Sequence, residues 1–142
     1  MNKLILAAFL GISSFLFGAY VTPHYLKAGQ VNGALTEFGS LSPELFNQAA
    51  ISGNYVVLDV RTQEEFLLGH LQNARQADYL QISQFSNYLD SLDKNSKYLL
   101  YCRTGRRSKE ALKLMQSKGF SYAADLSGGI SAWATGNYPI IK

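Results

Sequence analysis

Apolar positions fall into short runs separated by stretches of helical periodicity. Tyr55–Leu58 and Tyr98–Tyr101 are continuous apolar and aromatic runs of the kind found in a parallel sheet covered on both faces. Phe38–Leu41 is a shorter extended piece, and Tyr122–Leu126 gives a last strand. Ser42-Pro43-Glu44 supplies a cap, a first-turn proline and a first-turn acid, predicting a helix through Ala50. Thr62 with Glu65 makes a capping-box pattern, so Gln63 to Leu68 reads as a short helix stopped by Gly69. Ile82, Phe85, Tyr88, Leu89 and Leu92 recur at helical spacing and predict a helix over Gln81–Leu92 with its stripe in the core. Ser108 is the expected cap of a helix over Lys109–Lys118. There Ala111, Leu112, Leu114 and Met115 take the dry face and Lys109, Lys113 and Lys118 the wet one. Ser127-Gly128-Gly129 is a tight turn before a short helix, Ile130–Ala134, anchored by Trp133. Arg75-Gln76-Ala77-Asp78 marks a third strand only weakly, with Arg75 expected in solvent. Alternating strands and helices make this an α/β chain.

The opening is different. Behind Lys3, an apolar run from Leu4 to Val21 has the shape of a secretory signal or membrane anchor, so residues 1–21 are assigned to export. A cut after Ala19 would put Phe17 where a small residue is preferred, and an uncleaved anchor fits as well. The expected location is periplasmic or otherwise extracytoplasmic, with any membrane attachment through this segment alone and Lys3 on the inner side. Residues 22–37 mix Pro23, Gly29, Gln30 and Asn32 without apolar period and read as a linker in which His24 is incidental. Residues 38–142 form the domain.

Composition narrows the function. With 142 residues, 47% apolar and 16% charged, there is room for one core. The net charge of +3 is scattered except at Arg103, Arg106 and Arg107, which gives no basic stripe for nucleic acid but does concentrate charge suited to a small anion. One cysteine excludes an internal disulfide, a Cys-x-x-Cys redox pair and a thiolate-rich metal site. No metal or organic cofactor is called for, and a monomer is expected.

That cysteine, Cys102, follows a strand directly and opens the loop Arg103-Thr104-Gly105-Arg106-Arg107 before a helix. A loop curling into a helix N-terminus aims backbone N–H groups and the positive end of the helix dipole at one spot. Such surroundings lower a thiol pKa from about 8.5 into the range of roughly 3.5–7.5, which makes thiolate the working form near neutral pH. The same cradle would bind an anionic substrate. The plainer alternative is a buried structural cysteine beside a solvated basic turn.

The run Cys102-Arg103-Thr104-Gly105-Arg106-Arg107-Ser108 resembles the active-site loop of the rhodanese (thiosulfate sulfurtransferase) family. Two further blocks stand in the family's order. Upstream, Asp59-Val60-Arg61 leads to Glu65-Phe66 and Gly69-His70-Leu71; downstream, Gly119-Phe120 leads to Leu126, Gly128-Gly129-Ile130 and Trp133. The likeness runs from about Phe38 to Ile141 and departs after Ala74, where Arg75-Gln76-Ala77-Asp78 replaces the usual ending. It implies one domain with a central parallel sheet of about five strands and helices on both faces. It also implies sulfur transfer through a Cys102 persulfide, from a small anionic donor such as thiosulfate to cyanide or a thiol acceptor. Arg103, Thr104, Gly105, Arg106, Arg107 and Ser108 would hold the donor. Strand ends on one sheet edge would bring Asp59 near Cys102. Asp59 and Arg61 then admit two readings: a carboxylate orienting an active-loop arginine, or a scaffold with an ion pair such as Arg61 to Glu65. His70 is expected to be a hydrogen-bonding structural residue. Two rival functions share the pattern. A non-catalytic binding or persulfide-sensing module fits the loop, and so does a cysteine phosphatase or arsenate reductase. The phosphate loop, however, would want arginine at position 108, where Ser108 stands.

Overall fold

Five strand segments pair in parallel into one sheet of order β1-β5-β4-β2-β3 in a computed structural model that describes residues 38–142. The strands are β1 (Phe38–Leu41), β2 (Tyr55–Asp59), β3 (Arg75–Gln76), β4 (Lys97–Tyr101) and β5 (Tyr122–Leu126). The helices are α1 (Pro43–Ile51), α2 (Gln63–Leu67), α3 (Ile82–Asp90), α4 (Arg106–Ser117) and α5 (Gly129–Thr135). The export or anchor segment at 1–21, the linker at 22–37 and His24 lie outside the described residues.

Alternation along the central strands sends side chains into two cores. Leu58, Val60, Leu100 and Cys102 pack with Phe85 and Leu89 of α3 and Ala111, Leu112 and Met115 of α4. Val57, Leu99, Tyr101 and Leu126 pack on the opposite face with Phe46 of α1 and Ile130 and Trp133 of α5. Trp133 meets Phe46 edge-on at 5.9 Å, and its indole N–H donates to the Pro139 carbonyl at 2.9 Å, so the anchor expected from sequence is held at both ends. Both faces of the sheet are thus covered by helices. In the α3 stripe, Phe85 and Leu89 are buried and Tyr88 and Leu92 partly so, whereas Ile82 is 50% exposed and stands apart from that core.

Side-chain caps set the starts of two of the five described helices. The Ser42 hydroxyl accepts from Leu45 N–H at the head of α1, and the reciprocal Thr62 and Glu65 bonds of the capping box start α2. The weakly marked third strand is present but short, only two residues long, because β3 pairs with β2 solely at Leu58 to Arg75 and Asp59 to Gln76. One expectation needs correction: α4 begins at Arg106, three residues ahead of Lys109, with Gly105 rather than Ser108 at its N-cap. Gly105 takes φ +101, a left-handed conformation in which a side chain is strained, so the chain turns into the helix earlier than a serine cap would allow.

Candidate active site

Strand β4 ends at Tyr101, and the early helix start leaves only Cys102, Arg103, Thr104 and Gly105 to make the loop. Within that short span the Gly105 N–H donates to Cys102 Sγ at 3.0 Å. Burial pushes the Cys102 thiol up, but N–H groups of Ser108, Gly105 and Thr104, with the Ser108 hydroxyl, outweigh it, and the thiol ends below its ordinary value. Hydrogen bonds from the loop and the first turn of α4 therefore set the acidity of the sulfur. Cys102 is 1% exposed and forms the floor of a cleft of about 310 Å³, rimmed by Arg103, Thr104, Arg106 and Arg107, with Thr62, Glu65 and Leu80 opposite.

The loop is braced from below. Cys102 and Arg103 carbonyls accept from Ile130 N–H at 2.9 Å and Ser131 N–H at 3.1 Å, the first turn of α5. Gly129 permits this approach, since a Cβ there would lie 2.5 Å from the Arg103 carbonyl and from Cys102 O.

The arginines divide. Arg103 and Arg106 are exposed at the rim. Arg107 is instead paired bidentately with Glu65 of α2, both N–O distances being 2.7 Å. A carboxylate thus does orient an active-loop arginine, but it is Glu65, 42 residues away in sequence, rather than Asp59. Asp59 pairs with Arg61 at 2.5 Å, and Arg61 also donates to the Gly69 carbonyl at 2.8 Å. The suggested pair of Arg61 with Glu65 is replaced by these two separate pairs. Asp59 and Tyr101 are register partners, so the Asp59 carboxylate lies one residue from Cys102 but on the opposite face of the sheet. There burial and Asp59 push the Tyr101 phenol well above its ordinary value, and its oxygen accepts from Leu71 N–H at 3.1 Å. His70 stacks on Phe66 at 4.0 Å and exchanges backbone bonds with Ile141 at 2.9 and 2.8 Å. Asp59, Arg61 and His70 hold the scaffold beneath the loop.

Ser108 is fully buried at the third position of α4. Its hydroxyl lies 3.0 Å from Asp125 Oδ2, 3.1 Å from Gly105 O and 3.7 Å from Cys102 Sγ. A hydroxyl has one proton to give, so these three acceptors compete for it. Asp125 is fully buried too and also accepts from Ser40. The only trace of this network in the sequence is one acid inside the apolar run Tyr122–Leu126. Among the described residues, no cluster of three or more His, Cys, Asp or Glu side chains is arranged to hold a metal.

A Rhodanese-like domain model matches residues 42–135. A thiosulfate sulfurtransferase, GlpE, from Pseudomonas fluorescens is 31% identical over 105 residues, which cover 74% of this chain and 92% of that protein. A tRNA uridine(34) hydroxylase from Chlamydia trachomatis is 32% identical over 98 residues, 66% of this chain but only 30% of that much longer protein. The crystal structure of a rhodanese-related protein from Thermoplasma volcanium superposes with a TM-score of 0.64 at 27% identity, covering 72% of this chain and 96% of that one.

Proposed function

The chain belongs to the rhodanese-like domain family, and on that premise we propose that it is a sulfurtransferase that carries sulfane sulfur on Cys102. The observation that carries this reading is the Gly105 N–H on Cys102 Sγ at the floor of an arginine-rimmed cleft, a sulfur held as a nucleophile where an anion is attracted. The Cys102 thiolate attacks the outer sulfur of a donor such as thiosulfate. The S–S bond of the donor breaks, sulfite departs with the bonding pair, and a Cys102 persulfide remains. The N–H groups around Sγ stabilise the charge before and after transfer. Exposed Arg103 and Arg106 attract the dianion, while Arg107, already committed to Glu65, fixes the wall of the cleft. An acceptor nucleophile, cyanide or a thiol, then takes the outer sulfur and restores the thiolate.

The loop's dimensions support sulfur rather than phosphoryl transfer. Arg107 stands in the first turn of α4, right after the short loop, and position 108 holds a buried serine whose hydroxyl lies 3.0 Å from Asp125 Oδ2. Export through residues 1–21 belongs to the same proposal, and a reporter fused after Lys142 should be active only outside the cytoplasm. The chemistry is tested by incubating the full chain with thiosulfate and weighing it intact. The expected result is a gain of one sulfur that cyanide removes as thiocyanate. Cys102→Ser should lose turnover by on the order of a thousandfold or more; a sulfur gain that survives in Cys102→Ser would sink the assignment.

A further inference from the structure

Next to the catalytic cleft lies a groove of about 590 Å³, nearly twice as large, walled by α2, the segment after β3, and α3. Thr62 and Leu80 line both spaces, so the two adjoin at these residues. Thiosulfate and cyanide, with a handful of atoms each, leave this groove unused. Its chemistry also differs from that of the cleft. Glu64 and Asp78 supply carboxylates, and Gln63, Gln76, Gln81 and Gln84 supply amides, while among the described residues its lining holds no lysine or arginine. Hydrogen bonds from its own backbone N–H and from Thr62 hold Glu64 below the usual carboxylate range. Tyr88 and the half-exposed Leu80 add apolar surface.

From this segregation of charge we infer that the groove seats the body of the sulfur acceptor, and that this acceptor is a cysteine-bearing polypeptide with basic residues a short spacer away from its thiol. The inference rests on the sulfurtransferase reading and names its acceptor class. The amide side chains offer donors and acceptors to an extended backbone. The carboxylates offer partners to a cation that the arginines of the cleft would repel, which is why basic residues must stand apart from the reacting thiol. With the thiol at the Cys102 persulfide, its sulfur bonds to the outer sulfur and its proton passes to that sulfur. The bond between the outer sulfur and Sγ breaks, and Cys102 leaves as thiolate. Persulfide and thiol thus become thiolate and acceptor persulfide, with no net oxidation.

The test compares two peptides, Cys-Gly-Gly-Lys-Lys and Cys-Gly-Gly-Glu-Glu, as acceptors from the full chain preloaded with sulfur. The lysine peptide should take sulfur about tenfold faster at low salt, with the gap narrowing as salt rises. Glu64→Gln with Asp78→Asn should reduce the preference to less than about threefold while the rate to cyanide stays within about twofold. Asparagine keeps the oxygen that accepts from Leu80 N–H, so that turn survives the change. Equal rates for the two peptides, or a preference that outlives the double variant, overturns the inference. Binding of Ser-Gly-Gly-Lys-Lys to Cys102→Ser protein, read by fluorescence anisotropy and weakened by the double substitution, needs no sulfur chemistry. If Cys102 never gains sulfur, the failure therefore falls on the sulfurtransferase reading alone, and absence of this binding falls on the groove.

Discussion

Arg107 meets Glu65 fork to fork, Nη1 to Oε2 and Nη2 to Oε1, each at 2.7 Å. Glu65 also accepts from Thr62 N–H at 3.1 Å, so one carboxylate both caps α2 and holds the active loop. Removing the guanidinium leaves a half-buried carboxylate short of its main partner, a loss of about 1–3 kcal/mol. Arg107→Ala should therefore lower the melting temperature, by about 4–8 °C for each kcal/mol lost in a domain of this size. The affinity loss for thiosulfate should be larger in Arg103→Ala and Arg106→Ala, seen as a raised KM at nearly constant kcat. An unchanged melting temperature with a KM effect confined to Arg107→Ala would reverse these roles.

The same pair sets a pH dependence. Arg107 holds the Glu65 carboxyl at about 2, below its ordinary 4.5. A group depressed in the folded state stabilises the fold above the ordinary value and loses that contribution as pH falls through the folded one. Thermal stability should thus decline between pH 4.5 and about 2, and Glu65→Gln should remove part of that decline while being less stable at pH 7. Melting curves of both proteins across this range decide it.

Cys102 acidity belongs to the hydrogen bonds around it. Ser108→Ala removes one hydroxyl donor and Gly105→Ala strains the residue whose N–H faces the sulfur, at φ +101. Both should move the pH profile of Cys102 alkylation upward and slow sulfur loading at pH 7 from every donor. Arg103→Ala and Arg106→Ala should leave the profile in place. A profile that follows the arginines instead would return the acidity to side-chain charge.

Gly129 and Gly53 make a controlled comparison. A Cβ at Gly53 meets nothing within 4 Å, so Gly53→Ala carries only the strain of φ +75, about 1–2 kcal/mol. A Cβ at Gly129 collides with Arg103 and Cys102 backbone at 2.5 Å. Gly129→Ala should cost more stability than Gly53→Ala and also slow sulfur transfer, which Gly53→Ala should leave unchanged. Equal melting temperatures and equal rates would show that the loop yields.

The elements legible in the sequence are those decided locally. The apolar runs of β2 and β4 and the Thr62 capping box depend on neighbours a few residues away. What escaped the sequence was settled across the sheet. Ser108 looks like a cap, but Asp125, 17 residues on, draws its hydroxyl inward, and Gly105 takes the cap position. Glu65 reads as half of a capping box, and nothing nearby tells that Arg107 shares it. Asp59 stands at the end of its strand as expected, yet the alternation of side chains puts it behind the sheet from Cys102, with Arg61 and Tyr101.

The bracing of the loop by Ile130 and Ser131 has a consequence for biosynthesis. Ribosomes make the chain from its N-terminus, so Cys102 exists well before the two N–H groups that hold its loop from below, and before β5 fills the space between β1 and β4. Until residues through Ser131 emerge, the carbonyls of Cys102 and Arg103 lack the two donors that hold them in the finished domain. The frame that locks the loop is therefore completed last, although the N–H groups that face the sulfur belong to the loop and the first turn of α4.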